Sequence, residues 1–389
     1  MRGDLAGAVE KTRTSTGYPT ATSTLRVYQF RHDRSPRGAG VSRGARLCEA
    51  RGISASGRPG ARGLSDARRP IAVLVDREGL GDVLLKRPFL MALRAAFPGH
   101  DVWWIATHQS SMADELAPLL GRHVAKVITG AALDGPIGPL RQRLAALPPF
   151  ERVFDSRTKL TTVAAARLTL QHRGFYCCLP GYLLCDGRPP SRRRPRHIAE
   201  RMTSLIVCAT GRPAEPPPAL AASPEAAAAA RHVLPDGPTY VGIAPGSRQA
   251  SKNWPLARFC ETARALVAEG LTPVFFLGPQ EGDVEASIAA AAPGALVVHA
   301  EPDVAPGAGL DRLIAQGQRL AALLANDNGV GHLMGAAGVP VVSLFGPTDP
   351  ARWAPVAPAG RIVRAQDFGG GEMTAIPVSA AVQAVMAML

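Results

Sequence analysis

Residues 71–85 of the chain read IAVLVDREGLGDVLL, and this stretch decides the fold. Its first five residues form a continuous apolar run, which is typical of a strand buried on both faces of a parallel sheet. A polar turn with two glycines follows, and residues 82–97 then have the apolar spacing of a helix. Residues 101–106 are apolar again and predict a second strand. Strand, helix and strand in this order indicate a βαβ unit and therefore a parallel sheet.

A second unit of the same kind begins at residue 239. We predict strands at 240–244, 273–277, 295–299 and 339–345, and helices at 256–269, 310–325 and 332–337. Residues 213–222 are rich in Pro and Ala and predict an interdomain linker. The expected fold class is therefore α/β, with two Rossmann-like domains at 71–225 and 226–389 whose parallel sheets face a central cleft. Between the first βαβ unit and the linker, we predict helices at 111–120 and 160–170 and a strand at 152–154.

The net charge of +13 is concentrated at one end of the chain. Residues 1–70 carry 14 Arg and Lys against 5 Asp and Glu, whereas the other 319 residues carry 30 against 26. This Arg-, Gly- and Ser-rich head buries too little apolar surface to fold, so we expect it to be disordered. It has no interleaved aromatic residues or known module, and we predict no nucleic-acid partner.

The six cysteines and the apolar segments constrain the location of the protein. The cysteines lack the paired spacing of a zinc site, which favours reduced thiols and no bound metal. No apolar run reaches the roughly 20 residues of a membrane span, and Met1 to Thr20 lacks the apolar stretch of a signal peptide. We therefore expect a cytoplasmic protein.

The first motif, residues 77–84 (REGLGDVL), joins a strand to a helix N-terminus. A dinucleotide fingerprint would need a third glycine where this chain has Leu84, so an NAD-dependent enzyme is disfavoured. Asp82 has two interpretations. It is either a carboxylate that accepts a proton from an acceptor hydroxyl in the cleft, or a helix cap that stabilises the macrodipole.

The second motif, residues 244–255, also joins a strand end to a helix. Gly246 and Ser247 allow backbone N–H groups to approach a phosphate, and Lys252 adds a mobile positive charge. Lys252 is one of only five lysines in a chain with 39 arginines. We expect Trp254 and Pro255 to pack the loop and start the helix.

Two further motifs follow the later strands. Asp327, Gly329 and His332 lie where a strand meets a helix N-terminus, whose N–H groups can bind a diphosphate or ribose. A lone His is more often structural than a ligand, so His332 has both interpretations. Residues 344–350, LFGPTDP, predict a rigid turn that shapes the cleft, with Thr348 or Asp349 capping the next segment.

Taken together, these four motifs resemble those of glycosyltransferase family 9, the heptosyltransferases of lipopolysaccharide assembly. The resemblance covers residues 71–355 and rests on Gly81-Asp82-Val83 with Pro88, Pro245-Gly246 with Lys252-Asn253-Trp254-Pro255, the Asp327–His332 motif, and residues 345–350. It implies a GT-B fold and an inverting transfer without a metal or other cofactor. It further implies that Asp82 is the general base, that Lys252 binds the donor phosphates, that Gly246, Ser247, Asp327, Gly329 and His332 complete the pocket, and that ADP-heptose is the donor.

The chain also departs from the family pattern. Asn328 stands where many members have Thr, and Lys86 and Arg87 stand where many have small or hydroxyl residues. We assign Lys86 and Arg87 to the acceptor side. The basic loop 192–196 either holds an anionic lipid-linked or saccharide acceptor at the inner membrane or is a solvated loop. Two alternatives remain open: another nucleotide-sugar donor with a protein or capsule acceptor, and a non-catalytic protein that binds a nucleotide sugar.

Overall fold

The computed structural model describes residues 68–191, 193–278, 284–299 and 308–389, together with the backbone of 26–29. Two six-stranded sheets divide these residues between them. The predicted disorder of residues 1–70 falls largely outside the described part. Within that head the structure describes a strand at Arg26–Gln29, for which the sequence analysis predicted no element.

The first sheet has the strand order β1-β4-β3-β2-β5-β6. Strand β1 runs antiparallel to β4, and every other pair is parallel. Both faces of β2 are buried, as its unbroken apolar run predicts. The strands are β1 Arg26–Gln29, β2 Ile71–Val75, β3 Val102–Ala106, β4 Lys126–Thr129, β5 Phe150–Asp155 and β6 His172–Cys177.

Helices cover this sheet, and the longest follows strand β2. The helices are α1 Leu80–Ala96, α2 Ala117–Leu120, α3 Ile137–Ala145, α4 Leu160–Thr169 and α5 Ile198–Thr210. The predicted helix at 111–120 is wrong for its first half, because residues 111–116 form turns. Strand β6 and helix α5 were not predicted at all.

The second sheet has the order β12-β11-β10-β7-β8-β9 and is parallel throughout. Its strands are β7 Tyr240–Ala244, β8 Thr272–Leu277, β9 Leu296–His299, β10 Leu320–Asn326, β11 Val341–Phe345 and β12 Gly360–Arg364. Its helices are α6 Pro224–Val233, α7 Leu256–Ala268, α8 Glu285–Ala291, α9 Ala308–Gly317, α10 Gly329–Ala336, α11 Pro350–Trp353 and α12 Val378–Met386.

The predicted helix over 310–325 is wrong in its second half. Helix α9 ends at Gly317, and the run LAALLAN that follows is the strand β10, between β7 and β11. Alanine and leucine are good helix formers, so local propensity favoured a helix. Pairing with two neighbouring strands and burial on both faces decide the outcome instead.

The two halves meet through helices α1 and α10, which belong to different sheets. Apolar residues of α1 share a buried cluster with Ile314, Leu333 and Ala337 from the second half. The irregular linker between the halves is fixed to the same region, because the Leu220 N–H donates to the Ala336 carbonyl at 2.7 Å. This packing brings the N-termini of α1 and α10 to one place, at the carboxyl ends of both sheets.

Candidate functional site

A cleft of about 1060 Å³ lies where the strand-to-helix loops of the two sheets meet. Its walls follow the carboxyl ends of strands, which is where ligand sites of open α/β sheets lie. Four segments contribute most of the lining: 79–82 after β2, 246–253 after β7, 327–332 after β10, and Thr348 with Trp353 after β11. The cleft therefore brings together the four motifs that the sequence singled out.

Asp82 occupies the first turn of α1 and faces the cleft. Its Oδ2 accepts a hydrogen bond from the Gly79 N–H at 2.9 Å, so the side chain does cap the helix. Among the described residues, no protein group donates to its other oxygen, Oδ1. The capping interpretation is thus correct, and it leaves one carboxylate oxygen for a second partner.

Two glycines let the helix N-termini approach closely. A Cβ on Gly81 would lie 2.7 Å from Cδ2 of His332, and one on Gly329 would lie 2.8 Å from Cδ2 of Leu80. Both distances are shorter than the 3.0 Å that a Cβ keeps from non-bonded heavy atoms. Gly81 is therefore required by the packing against His332, a buried residue that fills the junction, whereas a Cβ at Gly329 would require only the end of the Leu80 side chain to move.

Lys252 and Asp327 form an ion pair at the floor of the cleft. The Lys252 Nζ lies 2.7 Å from Oδ2 of Asp327, which also accepts a hydrogen bond from the Thr348 hydroxyl at 2.8 Å. The Nε2 of His332 lies 3.9 Å from Oδ1, which is longer than a hydrogen bond. Lys252 and Thr348 therefore hold the carboxylate directly, and His332 acts at longer range.

The charge of Asp327 is set by these neighbours. Burial works to raise the pKa of its carboxyl, but His332, Lys252 and Thr348 outweigh burial and lower the pKa to about 2. The carboxylate therefore stays ionised near neutral pH and keeps the Lys252 ammonium beside the N-terminus of α10.

Two asparagines connect this floor to the loop after β7. Asn328 caps α10 by accepting from the Gly331 N–H at 2.9 Å, and its amide donates to the carbonyls of Ala244 and Gly246. Asn326 donates to the Pro245 carbonyl at 2.5 Å. The loop after β7 is thus fixed in place by the residues between the end of β10 and the start of α10.

Trp254 anchors the far end of the same loop. It is buried and packs edge-on against Phe259, with the ring centroids 4.9 Å apart. Its Nε1 donates to the Ile376 carbonyl at 3.1 Å. Helix α7 begins directly after Pro255. The predicted roles of Trp254 and Pro255 are confirmed.

A smaller cavity of about 220 Å³ adjoins the cleft, and Asp82 and Trp353 line both. Five of its lining residues are basic and two are acidic. They are Arg77, Lys86, Arg157, Arg201 and Arg352, with Asp76 and Asp82. Asp82 therefore stands between a large cleft and a basic cavity.

Several of these cations are held in place by buried partners. Arg157 makes a bidentate pair with Asp155, with Nε and Nη2 at 2.8 and 2.7 Å from its oxygens. Lys86 Nζ lies 2.6 Å from Oε1 of the buried Glu78. Burial acts to lower the pKa of Lys86, but the charges of Glu78 and Asp82 outweigh it and the net shift is upward. Lys86 stays charged.

Arg87 lies elsewhere. Its guanidinium donates from Nη2 to the carbonyl of Pro218 in the linker, and it lines neither the cleft nor the smaller cavity. Burial and then the charge of Arg122 lower its pKa. Its contacts place it beside the linker, and its assignment to the acceptor side stays a prediction.

The basic loop bridges the two halves. Arg194 donates to the Cys178 carbonyl at 2.6 Å, and Arg196 pairs with Asp349 at 2.8 Å. Asp349 also caps α11, as expected for this motif. Arg192 lies outside the described residues. The described part of the loop thus has structural contacts that neither sequence interpretation included.

The structure brings together Asp82, Gly246, Ser247, Lys252, Asp327, Gly329 and His332 in one cleft. Sequence reasoning missed Glu78, Arg157, Arg201 and Trp353. Glu78 and Arg157 carried a usable signal, because each follows the end of a buried strand. Arg201 and Trp353 carried none, since their positions depend on how α5 and α11 pack across the site.

The described residues hold neither a metal-binding cluster nor a membrane-spanning helix. No group of three or more His, Cys, Asp or Glu side chains is arranged to hold a metal ion there. None of the described helices is both long and apolar enough to cross a membrane.

Comparison with known proteins identifies the relatives of this chain. The sequence model of glycosyltransferase family 9 (heptosyltransferase) matches residues 162–372, which is more than half of the chain. Lipopolysaccharide heptosyltransferase 2 of Escherichia coli K12 is 27% identical over 125 residues. That alignment covers 32% of this chain and 36% of the relative, so the chain spans about a third of the length of this curated relative.

Solved structures share the fold over much greater lengths. A family 9 glycosyl transferase from Veillonella parvula aligns with a TM-score of 0.59 and 19% identity, over 82% of this chain and 96% of its own. The ADP-heptose LPS heptosyltransferase II of E. coli aligns with a TM-score of 0.56 and 19% identity, over 82% and 98%. The E. coli heptosyltransferase WaaC, solved with ADP, aligns with a TM-score of 0.56 and 18% identity, over 82% of this chain and 100% of its own. These alignments confirm the predicted GT-B fold.

Proposed function

The chain belongs to glycosyltransferase family 9, and on that premise we propose that it transfers heptose from ADP-heptose to a hydroxyl of a lipopolysaccharide-type acceptor. One observation carries the proposal: Asp82 lies between a cleft suited to a nucleotide diphosphate and a basic cavity suited to an anionic acceptor. The donor is inferred from the E. coli relatives, whose names include ADP-heptose and ADP. The cytoplasmic location stays a prediction.

The donor diphosphate binds at the floor of the cleft in this proposal. Lys252 offers N–H donors beyond the one that Asp327 accepts, and the N-terminus of α10 adds the positive end of a helix dipole. Gly246 and Ser247 line the cleft as well, and the Gly246 carbonyl accepts from Asn328 at the N-terminus of α10. Asp327 acts as a positioning residue, because its carboxylate holds Lys252 and Thr348 and carries a charge that would repel phosphate.

Asp82 is the general base. Its Oδ1 takes the proton of the acceptor hydroxyl while that oxygen forms a bond to the anomeric carbon of the sugar. The bond from this carbon to the diphosphate oxygen breaks on the opposite face, which inverts the configuration. Lys252 and the α10 N-terminus stabilise the charge on the leaving diphosphate, so the transfer needs no metal ion.

The acceptor occupies the smaller cavity and carries an anionic group there. Arg77, Arg201 and Arg352 line this cavity, and none of them has an acidic partner among the ion pairs of the described residues. Lys86 adds a buried charge beside Asp82. An acceptor with a carboxylate or phosphate near its reacting hydroxyl could bind the cations through this anionic group and place the hydroxyl beside the base.

A thermal-shift panel with ADP, UDP, GDP, NAD and ADP-heptose tests the donor first. A ligand at about 100 times its dissociation constant adds roughly 2.7 kcal/mol of stability. Stabilisation by ADP and ADP-heptose alone supports the proposal. Stabilisation by UDP or GDP would mean that the donor carries that nucleotide instead of ADP. Stabilisation by NAD alone would favour an NAD-dependent enzyme. No response to any of these ligands would favour a non-catalytic protein.

Turnover then tests the acceptor. ADP release from ADP-heptose should require a truncated lipopolysaccharide that lacks heptose, and dephosphorylated or neutral acceptors should react poorly. Arg352→Gln should raise KM for the acceptor and leave binding of ADP unchanged. Arg361→Gln is the matched control, because Arg361 is exposed on β12 and lines neither cavity. Equal KM values for both variants would remove Arg352 from the acceptor site.

A further inference from the structure

Two cysteines lie close together next to the smaller cavity, and the proposed transfer does not use them. Cys177 ends β6, and a short loop returns the chain so that Cys185 lies beside it. Their Sγ atoms are 3.7 Å apart. The Cys177 N–H also donates to Cys185 Sγ at 3.1 Å. The two sulfurs would have to approach by about 1.7 Å to reach the S–S bond length of about 2.05 Å.

The fold holds this arrangement in place. Gly181, Tyr182 and Leu184 have φ values of 63°, 57° and 69°. The left-handed region is unfavourable for residues other than glycine, so the surrounding structure must impose this turn. The Tyr182 hydroxyl donates to Ser204 on α5 at 3.0 Å, and the Phe175 N–H donates to Asp186 at 2.7 Å. These contacts hold the middle of the loop that joins the two thiols and the residue that follows its C-terminal end.

The two thiols differ in access and acidity. Cys177 is fully buried, whereas Cys185 is partly exposed. The hydrogen bond between the two thiols lowers the pKa of Cys185 against the opposing effect of burial. The same bond, together with burial, raises the pKa of Cys177. Because the thiolate is the reactive form, Cys185 is the better nucleophile of the pair.

The other described cysteines do not share these properties. Cys178, Cys208 and Cys260 are buried, and burial raises the pKa of Cys178 and of Cys208 to about 12. Among the described cysteines, Cys185 alone is partly exposed and also has another cysteine sulfur, that of Cys177, within 4 Å.

We propose that Cys177 and Cys185 form a reversible disulfide in which Cys185 reacts first. The oxidant is a low-molecular-weight disulfide of the glutathione type. The Cys185 thiolate attacks one of its sulfurs, which forms a mixed disulfide and releases one thiolate. Cys177 then loses its proton and attacks the Cys185 sulfur, which releases the second thiolate. Two protein thiols are oxidised, one disulfide is reduced to two thiols, and the two protons pass to the leaving thiolates.

The pair is a modification site that is independent of the transfer reaction. Its loop includes Cys178, which lines the smaller cavity and whose carbonyl holds Arg194. Oxidation therefore fixes a segment that borders this cavity. Transient disulfides of this kind are the form expected in a reducing compartment.

Peptide mapping of the full-length wild-type protein tests the proposal. The reduced protein is incubated with glutathione disulfide without denaturant, quenched with acid, alkylated and digested. The expected product is a Cys177–Cys185 cross-linked peptide that dithiothreitol removes. A cross-link that uses Cys178 or Cys208 instead, or none at any glutathione ratio, would overturn the proposal.

Three serine variants test the order of reaction. Cys177→Ser should accumulate glutathione on Cys185, because the resolving thiol is absent. Cys185→Ser should leave Cys177 unmodified, because the buried thiol is not reached. Cys260→Ser, a buried cysteine of the other half, should form the cross-link as the wild type does. Glutathione on Cys177 in Cys185→Ser would show that Cys185 does not react first.

Discussion

Gly81 and His332 touch across the boundary between the two halves: a Cβ on Gly81 would lie 2.7 Å from Cδ2 of the imidazole. One residue lies in the first turn of α1 and the other in α10, so the contact joins the N-termini of both helices. The spacing between Asp82 on one helix and Lys252 and Asp327 beside the other depends on this contact.

Gly81→Ala should therefore weaken the site without touching a proposed substrate group. The added methyl must displace His332 or separate the helices, and such overpacking costs about 1–3 kcal/mol. The melting temperature and the affinity for ADP should both fall. Gly138→Ala, in α3 with nothing within 4 Å of its Cβ, should instead stabilise by about 0.5–1 kcal/mol. If His332→Ala does not relieve the effect of Gly81→Ala, the contact is not its cause.

The two roles of Asp82 can be separated by two substitutions. Asp82→Asn keeps an oxygen that accepts from the Gly79 N–H but removes the base, so kcat should fall roughly 10²- to 10⁴-fold with little change in melting temperature. Asp82→Ala also removes the cap and should lose about 1 kcal/mol of stability in addition. Wild-type kcat in Asp82→Asn would mean that Asp82 is a helix cap only.

The sequence predicted the fold best where a pattern is local. The continuous apolar runs at 71–75 and 240–244 are strands with those bounds, and the motifs at their ends line the cleft. The prediction for the residues of strand β10 was wrong, because Ala and Leu favour a helix and only pairing with two neighbouring strands makes this segment a strand.

The site was predictable to the same extent. The cleft residues follow strand ends, a rule that needs only sequence. The basic cavity combines Arg201 of α5 with Arg352 of α11, which are distant in sequence, and only the packing of the halves brings them together. Arg87 neighbours Lys86 in sequence but contacts the linker and does not line the basic cavity, because successive helix residues point in different directions.

Lys252→Gln should weaken ADP binding about tenfold to a hundredfold, because a charge-assisted hydrogen bond to the diphosphate is lost. Calorimetry with ADP measures this change, and its dependence on salt should also become smaller. Lys159→Gln is the control, since Lys159 is exposed and lines neither cavity. Equal dissociation constants for the two variants would exclude Lys252 from the diphosphate site.

Asp327 should give stability a defined pH dependence. Its folded pKa of about 2 lies below the ordinary value of 3.8, so the stabilisation is present above pH 4 and is lost as pH falls from 4 towards 2. The shift corresponds to about 2 kcal/mol. Denaturation of wild type and Asp327→Asn at pH 7, 5 and 3 should show a difference that is constant at the two higher values and smaller at pH 3. A difference that does not change with pH would contradict this account.

Glu78 should be essential to the folded state of the first half, because three donors converge on its buried carboxylate. Lys86, the Trp104 indole and the Ser110 hydroxyl lie 2.6, 2.8 and 2.8 Å from its oxygens. Glu78→Gln removes the ion-pair partner of the buried Lys86 and leaves only the more remote charge of Asp82, which should cost about 3–5 kcal/mol.

The double variant Glu78→Gln/Lys86→Met distinguishes the buried charge from the packing around it. It removes both charges and keeps similar volumes, so its loss of stability should be clearly smaller than the sum of the two single losses. Urea denaturation of the four proteins completes the double-mutant cycle. Additive losses would show that Glu78 and Lys86 are not coupled, and the 2.6 Å contact between them would then contribute little to stability.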